Sequence, residues 1–411
     1  MALPEGAATQ DKPPAPSRMF SLALAFTALI TPLAVHIFLP VIPAVKAELA
    51  LSDAEAQFAF SIALFTMAFA TLAYGSLSDR FGRRPVLLSG LALFLVGSAI
   101  SAVAQSVTTL AFGRMVQAIG AGCGMTLVRV IARDAYRAEH LVRAIAYLTM
   151  FYTLGPMISP FVGGVLIDTL GWRAVFGFAL IAGGAITITA YMAIPETRPK
   201  REATASESGI LRSYVSLLRR PAFAGFVLQS GFNTGAFMTM ASAASMLMKE
   251  QLQRSSTEFG LYFLMFPVGF FIGNLLSSRV GNRVSNETMV LAGATLAMTS
   301  ILVQAGFLLN GVLTPITIFL PGFFLTMAQG IALPYAQVGA MAAAPGLAGT
   351  AAGVGVFMQN FCGAIFTQIY GLVADGTPRP MVAVIAISGA LGLLAGALPF
   401  FLVRQGGRGS G

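Results

Sequence analysis

Twelve predominantly apolar stretches, each near the ~20 residues a helix needs to cross a bilayer, are centred on Leu33, Phe65, Phe94, Ile119, Leu154, Ile181, Phe232, Phe266, Ala297, Phe324, Val356 and Leu391. They occupy nearly the whole chain. Backbone groups in lipid find no water, so a spanning segment must be a helix or part of a closed barrel. The two-residue alternation of barrel strands is absent, which leaves an all-α membrane protein of twelve transmembrane helices. Composition agrees: 56% of residues are hydrophobic, 10% are charged and the mean hydropathy is +0.79. The 44 Gly and 21 Pro interrupt these stretches often, a load that bilayer helices carry because neighbours satisfy freed carbonyls.

Lysine and arginine favour cytoplasmic loops, so their distribution sets orientation. With the amino terminus inside, the cytoplasmic ends collect Arg80, Arg83, Arg84, Arg133, Arg137, Arg143, Arg198, Lys200, Arg201, Arg219, Arg220, Arg279 and Arg283, among others. The opposite side receives only Lys46, Arg173, Lys249, Arg254 and Arg379. Both termini are therefore expected in the cytoplasm. The net charge of +9 follows from this bias and from contact with anionic lipid, and no nucleic-acid partner is expected.

Residues 1–18, rich in Pro and Ala, read as a disordered tail, and the apolar run from Phe20 is too long for the core of a cleaved leader. A six-helix bundle is expected over 19–194, a cytoplasmic linker over 195–220, a second bundle over 221–403 and a tail over 404–411. The loop Gly75-Ser76-Leu77-Ser78-Asp79-Arg80-Phe81-Gly82-Arg83-Arg84 has a weaker copy, Gly273 to Arg283, at the equivalent place in the second half. Such duplication predicts two pseudo-symmetric bundles of a rocking transporter.

The Gly75–Arg84 loop resembles the signature after the second helix of the major facilitator superfamily. Arg114-Met115-Val116-Gln117-Ala118-Ile119-Gly120-Ala121-Gly122 resembles the family's Arg-x-x-Gln-Gly-x-Gly motif with one extra residue. Gly155-Pro156-Met157-Ile158-Ser159-Pro160-Phe161-Val162-Gly163-Gly164 is similar to the helix-five motif of its proton-coupled exporters. Within the family, Leu39-Pro40-Val41-Ile42-Pro43 and Arg129-Val130-Ile131-Ala132-Arg133-Asp134 are most like the bicyclomycin-resistance (Bcr/CflA) drug exporters.

Each motif also has a mechanical reading. Gly75 and Gly82 permit a short link between helices two and three. Asp79 would reach the positive amino end of another helix, which the resemblance makes helix eleven, beginning near Gly349 after the breaker Pro345-Gly346. Arg80, Arg83 and Asp134 would complete a cytoplasmic latch that holds an outward-facing state closed. Arg129, about a turn from that end, snorkels or joins the latch. The alternative for Arg80, Arg83 and Arg84 is simple positive-inside bias. In helix five, Gly155, Gly163 and Gly164 favour close packing against the other half, and Pro156 and Pro160 bend the helix. Either a seal between halves or an ordinary packing seam would use them.

All 16 acids fall in loops, tails or near span ends. The resemblance implies proton coupling through a buried carboxylate in helix one or four, and the Bcr-like pattern places an Asp where this chain has His36. An imidazole titrates near physiological pH and is the obvious replacement. The alternative is a histidine that merely bonds a helix carbonyl. Arg114 lies at a depth comparable to His36, so the two are expected to face one cavity. Gln117, Gln229, Asn233, Gln329, Gln359 and Asn360 are further candidates for that cavity, with Phe232, Tyr262, Phe266, Tyr335 and Phe357 as possible walls.

Cys123 and Cys362 give no metal-ligand spacing, no cofactor or nucleotide motif is present, and His36 and His140 lack catalytic company. An enzyme is not expected. The expected activity is export of a small amphipathic or drug-like compound by proton antiport with alternating access, from a monomer in the bacterial inner membrane. A proton-independent or anion-coupled carrier of a small organic anion is the alternative within transport, and a non-transporting receptor or scaffold the alternative outside it.

Overall fold

A computed structural model describes residues 17–198, 216–217, 219–344 and 347–408. The expected amino-terminal tail to residue 16, linker residues 199–215 and 218, the breaker Pro345-Gly346 and residues 409–411 lie outside it.

Twelve rods make up the described chain. α1 runs Arg18–His36, turns over Ile37–Pro40 and continues as Val41–Glu48. Then follow α2 (Asp53–Phe81), α3 (Arg83–Ala102), α4 (Val107–Ala135), α5 (Ala138–Leu170) and α6 (Arg173–Ala193). The second half holds α7 (Pro221–Glu250), α8 (Ser256–Val280), α9 (Asn286–Leu309), α10 (Pro315–Ala342), α11 (Ala348–Val373) and α12 (Pro378–Arg408). The last helix thus runs past the expected bundle end at 403.

Eleven of the rods are long and apolar enough to cross a membrane. The exception, α7, has the length, at 30 residues, but carries Gln229, Ser230, Asn233, Thr234, Thr239, Ser242 and Ser245. These residues are all buried. Packed among α10, α11 and α12, α7 presents little surface to lipid, so its polarity is shielded by protein.

Helix ends are set by hydroxyl caps where the chain reaches the membrane surface. Ser52 and Glu55 form a capping box at α2, and Ser106, Ser255, Ser285 and Thr314 cap α4, α8, α9 and α10. Between α2 and α3 the reversal is made by Gly82 alone, at φ +101°, a conformation that costs a side-chain-bearing residue energy. Glu196, just past α6, then accepts from the N–H groups of Arg83 at 2.9 Å and Arg84 at 3.2 Å, capping α3. Burial works against this carboxylate, but the surrounding N–H donors of Arg198, Arg83 and Arg84 hold it below the ordinary range.

Within the first half, α3 and α4 meet backbone to backbone. A methyl group at Gly97 would strike the Gln117 backbone, and one at Gly120 the Phe94 backbone, the close approach that small residues allow in lipid.

The two halves touch at one end and diverge toward the other. Along α2 and α11, a methyl at Gly371 would meet Gln57 at 2.6 Å, one at Gly363 would meet Leu64 at 3.6 Å and one at Gly353 would meet Leu72 at 3.8 Å; at Gly349 nothing lies within 4 Å. The arginine-poor side is the one expected to be external, and with that orientation the space between the bundles widens toward the cytoplasm.

Candidate transport site and gates

Arg114 is 1% exposed and sits inside the first bundle. Its Nη1 donates to the Ala34 carbonyl of α1 at 2.9 Å and to the Gln117 side chain one turn on, and Gln117 Nε2 donates to Ser98 Oγ of α3 at 2.8 Å. The Phe38 ring lies 4.3 Å from the guanidinium carbon, a favourable face for a cation. No carboxylate is among these contacts, and Nε and Nη2 find no partner among the described residues. A buried cation with two idle donors is costly to keep, so these atoms mark a place where an acceptor group would be stabilised.

His36 is 7% exposed and ends the first part of α1. Its Nδ1 lies 3.1 Å from the Pro32 carbonyl, so the proton of the neutral ring sits on Nδ1 and Nε2 is the basic atom. The ring meets Phe263 of α8 edge-on at 6.3 Å. Arg114 meets α1 at the Ala34 main-chain carbonyl and at the Phe38 ring in the turn. His36 meets Phe263 of the second bundle instead, and no contact described joins His36 to Arg114. Depth is readable by counting residues, whereas contacts depend on which neighbours pack on each side.

The polar residues of the second bundle divide similarly. Gln229 lies against Gly396 of α12, inside the bundle, with its Oε1 unpartnered among the described residues, as is Nδ2 of the buried Asn233. Gln329 donates to Thr234 at 3.1 Å, joining α10 to α7. Asn360 bonds its own helix at Val356, and Gln359 lines a void of about 20 Å³ with Ser230 and Gln337, near the minimum for one water. Among the aromatics, Tyr335 ties α10 to the end of α8 through the carbonyls of Ser277 and Gly281 at 3.1 and 2.8 Å. Tyr262 and Phe266 stack on Phe319, Phe232 meets Phe366, and Phe357 meets Phe69 across the two halves.

At the cytoplasmic end, Arg83 is the centre of a charged knot. Its Nη1 lies 2.5 Å from Asp79 and 2.7 Å from Ser78 Oγ, and its Nε lies 2.9 Å from Asp134. These partners all belong to the first bundle. The Asp79 side chain is 65% exposed and turned to Arg83 rather than to α11, and a methyl at Gly75 would meet nothing within 4 Å. Arg80 lies over the Phe81 ring, Arg198 donates to the Arg80 carbonyl at 2.9 Å, and Arg84 donates to the Tyr191 carbonyl at 2.8 Å. Arg129 is exposed on α4, outside the Asp134 contacts described.

Through its motif glycines helix five packs against two elements, α1 and α8. Gly155 lies against Pro32, and Gly163 against Ile37 and Pro40, all of α1. Gly164 lies against the Ser256 carbonyl of α8, while Gly260 of α8 lies against Pro160 and Phe161. Pro156 and Pro160 sit within the helix.

Sequence reasoning missed the external seal around this junction. Asp168, at the end of α5, accepts from the Ser256 and Thr257 N–H groups at 3.1 and 2.8 Å and so caps α8 across the seam. Ser61 of α2 donates to Gln368 of α11 at 2.6 Å, and Ser245 of α7 to the Leu39 carbonyl at 2.8 Å. Lys46 bridges to Glu250 of α7 at 2.8 Å. The only signal in the sequence was an acid one turn from a span end, which fits many unpaired surface residues equally well.

A family model described as Major Facilitator Superfamily matches residues 24–367. Over 360 residues the chain is 28% identical to Multidrug resistance protein D of Escherichia coli (strain K12), covering 86% of this chain and 88% of that protein. It is 24% identical over 387 residues to the Bicyclomycin resistance protein homolog of Haemophilus influenzae (strain ATCC 51907 / DSM 11121 / KW20 / Rd), covering 92% and 95%. A crystal structure of peptide transporter POT in complex with sulfate shares the fold, with a TM-score of 0.77 at 16% identity over 96% of this chain and 97% of that one. D-xylose-proton symporter does so with a TM-score of 0.72 at 16% identity, over 92% and 96%. A match over most of the length, on helices suited to cross a membrane many times, means that this multi-pass membrane protein is a transporter rather than an enzyme and belongs to the Major Facilitator Superfamily.

Proposed function

We propose that the protein exports a small amphipathic or drug-like compound in exchange for protons, its two bundles rocking about a central path. The observation that carries this reading is His36: an imidazole at the break in α1, directed at Phe263 of the opposite bundle, in a chain whose described carboxylates all lie near helix ends or in connections. Because Nδ1 is engaged by Pro32, a proton is taken and given at Nε2 without disturbing the ring's anchor. Rocking that parts α1 from α8 admits external water to the ring, and closure removes it, so hydration of one group alternates with the direction of access. The names of the relatives, which include multidrug and bicyclomycin resistance proteins, support the substrate class.

The test is flux in proteoliposomes with ethidium as an amphipathic probe. An acidic lumen should drive dye inward, and a proton ionophore should abolish the accumulation. Flux indifferent to the gradient would replace antiport with a proton-independent carrier. That second reading has its own support in Arg114, whose idle Nε and Nη2 suit an anionic substrate.

The charged knot serves in this reading as the released half of a cytoplasmic latch. On closure, Asp79 exchanges Arg83 for the amino end of α11. Asp79→Asn should raise the cytoplasm-open population, read as reduced crosslinking between cysteines placed on the cytoplasmic ends of α2 and α11. Crosslinking equal to the parent's would remove Asp79 from the latch.

A further inference from the structure

Lys46, near the external end of α1, is held by carboxylates from both halves of the molecule. Its Nζ lies 2.5 Å from Asp53 at the start of α2 and 2.8 Å from Glu250 at the end of α7. All three side chains are half-buried. Among the described residues, the other ion pairs on this face stay within one bundle: Arg173 pairs with Glu48, and Arg254 with Glu258 at 3.5 Å. Parting the bundles externally breaks Lys46–Glu250 and spares Lys46–Asp53, since α1 and α2 move together. The two acids therefore have opposite effects. Glu250 attracts the lysine only while the seal is closed. Asp53 keeps the lysine paired when the seal opens, and in the closed state it also repels Glu250 across the shared ammonium.

We propose that Lys46 is the switching contact of the external gate, with Glu250 as its closed-state partner and Asp53 as its resting partner in the open state. This rests on the alternating-access reading. The amino-bundle pair keeps the cation from being stranded, so the gate opens at the cost of one partly exposed pair rather than of an unpaired charge.

The experiment uses the full-length protein in liposomes with spin labels on Val103→Cys and Val312→Cys, which replace exposed residues at the external ends of α3 and α9. Native Cys123 and Cys362 are buried. Glu250→Gln should raise the long-distance population relative to the short one by about two- to five-fold, the worth of a partly exposed pair. Asp53→Asn should lower it, although it too removes one acid from the same lysine. A merely structural contact would move both variants the same way. Shifts in one direction, or no shift in either, overturn the gate assignment. If Glu250→Gln does not fold, a rise in the long distance for Asp53→Asn alone overturns it. A single short distance in the parent and in both variants, with and without an imposed pH gradient, overturns alternating access as well. Two distances in the parent with unresponsive variants overturn only the gate.

Discussion

His36→Gln is expected to reduce gradient-driven ethidium accumulation at least tenfold while leaving gradient-independent exchange near the parent's rate. Glutamine has an amide donor that can still reach the Pro32 carbonyl, and it fills much of the ring's volume, so the break in α1 keeps its anchor. What it lacks is a basic ring nitrogen that can accept a proton. The cost to stability should be about 1 kcal/mol, the worth of an ordinary hydrogen bond, which a melting curve in detergent will separate from the transport defect. His36→Ala is a poorer probe, because it also leaves a cavity beside Phe263. Unchanged drive in the glutamine variant would take histidine out of the coupling step and leave the anion-carrier reading, centred on Arg114, as the stronger one.

Gly164→Val should lower transport more than tenfold by a different route. A methyl group alone at this position meets the Ser256 carbonyl carbon at 2.6 Å and the Thr257 nitrogen at 2.8 Å. These are backbone atoms of α8, and the Thr257 N–H already donates to Asp168. No rotamer relieves such a clash, so α5 and α8 must separate where the external seal is tightest. Overpacking of this kind costs about 1–3 kcal/mol in a rigid core. Gly177→Ala in α6 is the control, since nothing lies within 4 Å of its new methyl group and Ala is the better helix former. The control should transport at the parent's rate. Full activity in Gly164→Val would show that the junction yields without loss, and helix five would then be an ordinary seam.

The rods were legible because lipid imposes one rule on every spanning segment: its apolar length. The rule weakened at α7, whose polar residues are hidden by neighbours rather than by position in the chain. Counting along helices placed His36 and Arg114 at similar depth but left their directions open, and in the fold Arg114 meets the Ala34 carbonyl and the Phe38 ring while His36 meets Phe263. The helix-five glycines were recognisable from their spacing, and their partners Pro32, Ile37 and Ser256 come from folding. Lys46 and Glu250 are 204 positions apart and Asp168 and Ser256 are 88 apart. No local pattern links such residues, so a single sequence could not pair them. Glu196 fell in the presumed linker, yet it completes the first turn of α3.

The widening gap between α2 and α11 leaves Gly75 and Gly349 with nothing within 4 Å of an added methyl group. With the proposed rocking, a bulkier residue at either would go unnoticed by a molecule at rest in this shape and would jam only when the cytoplasmic mouth tried to shut. Damage there is latent, so heating the purified protein would pass such variants as sound, while repeated turnover would expose them.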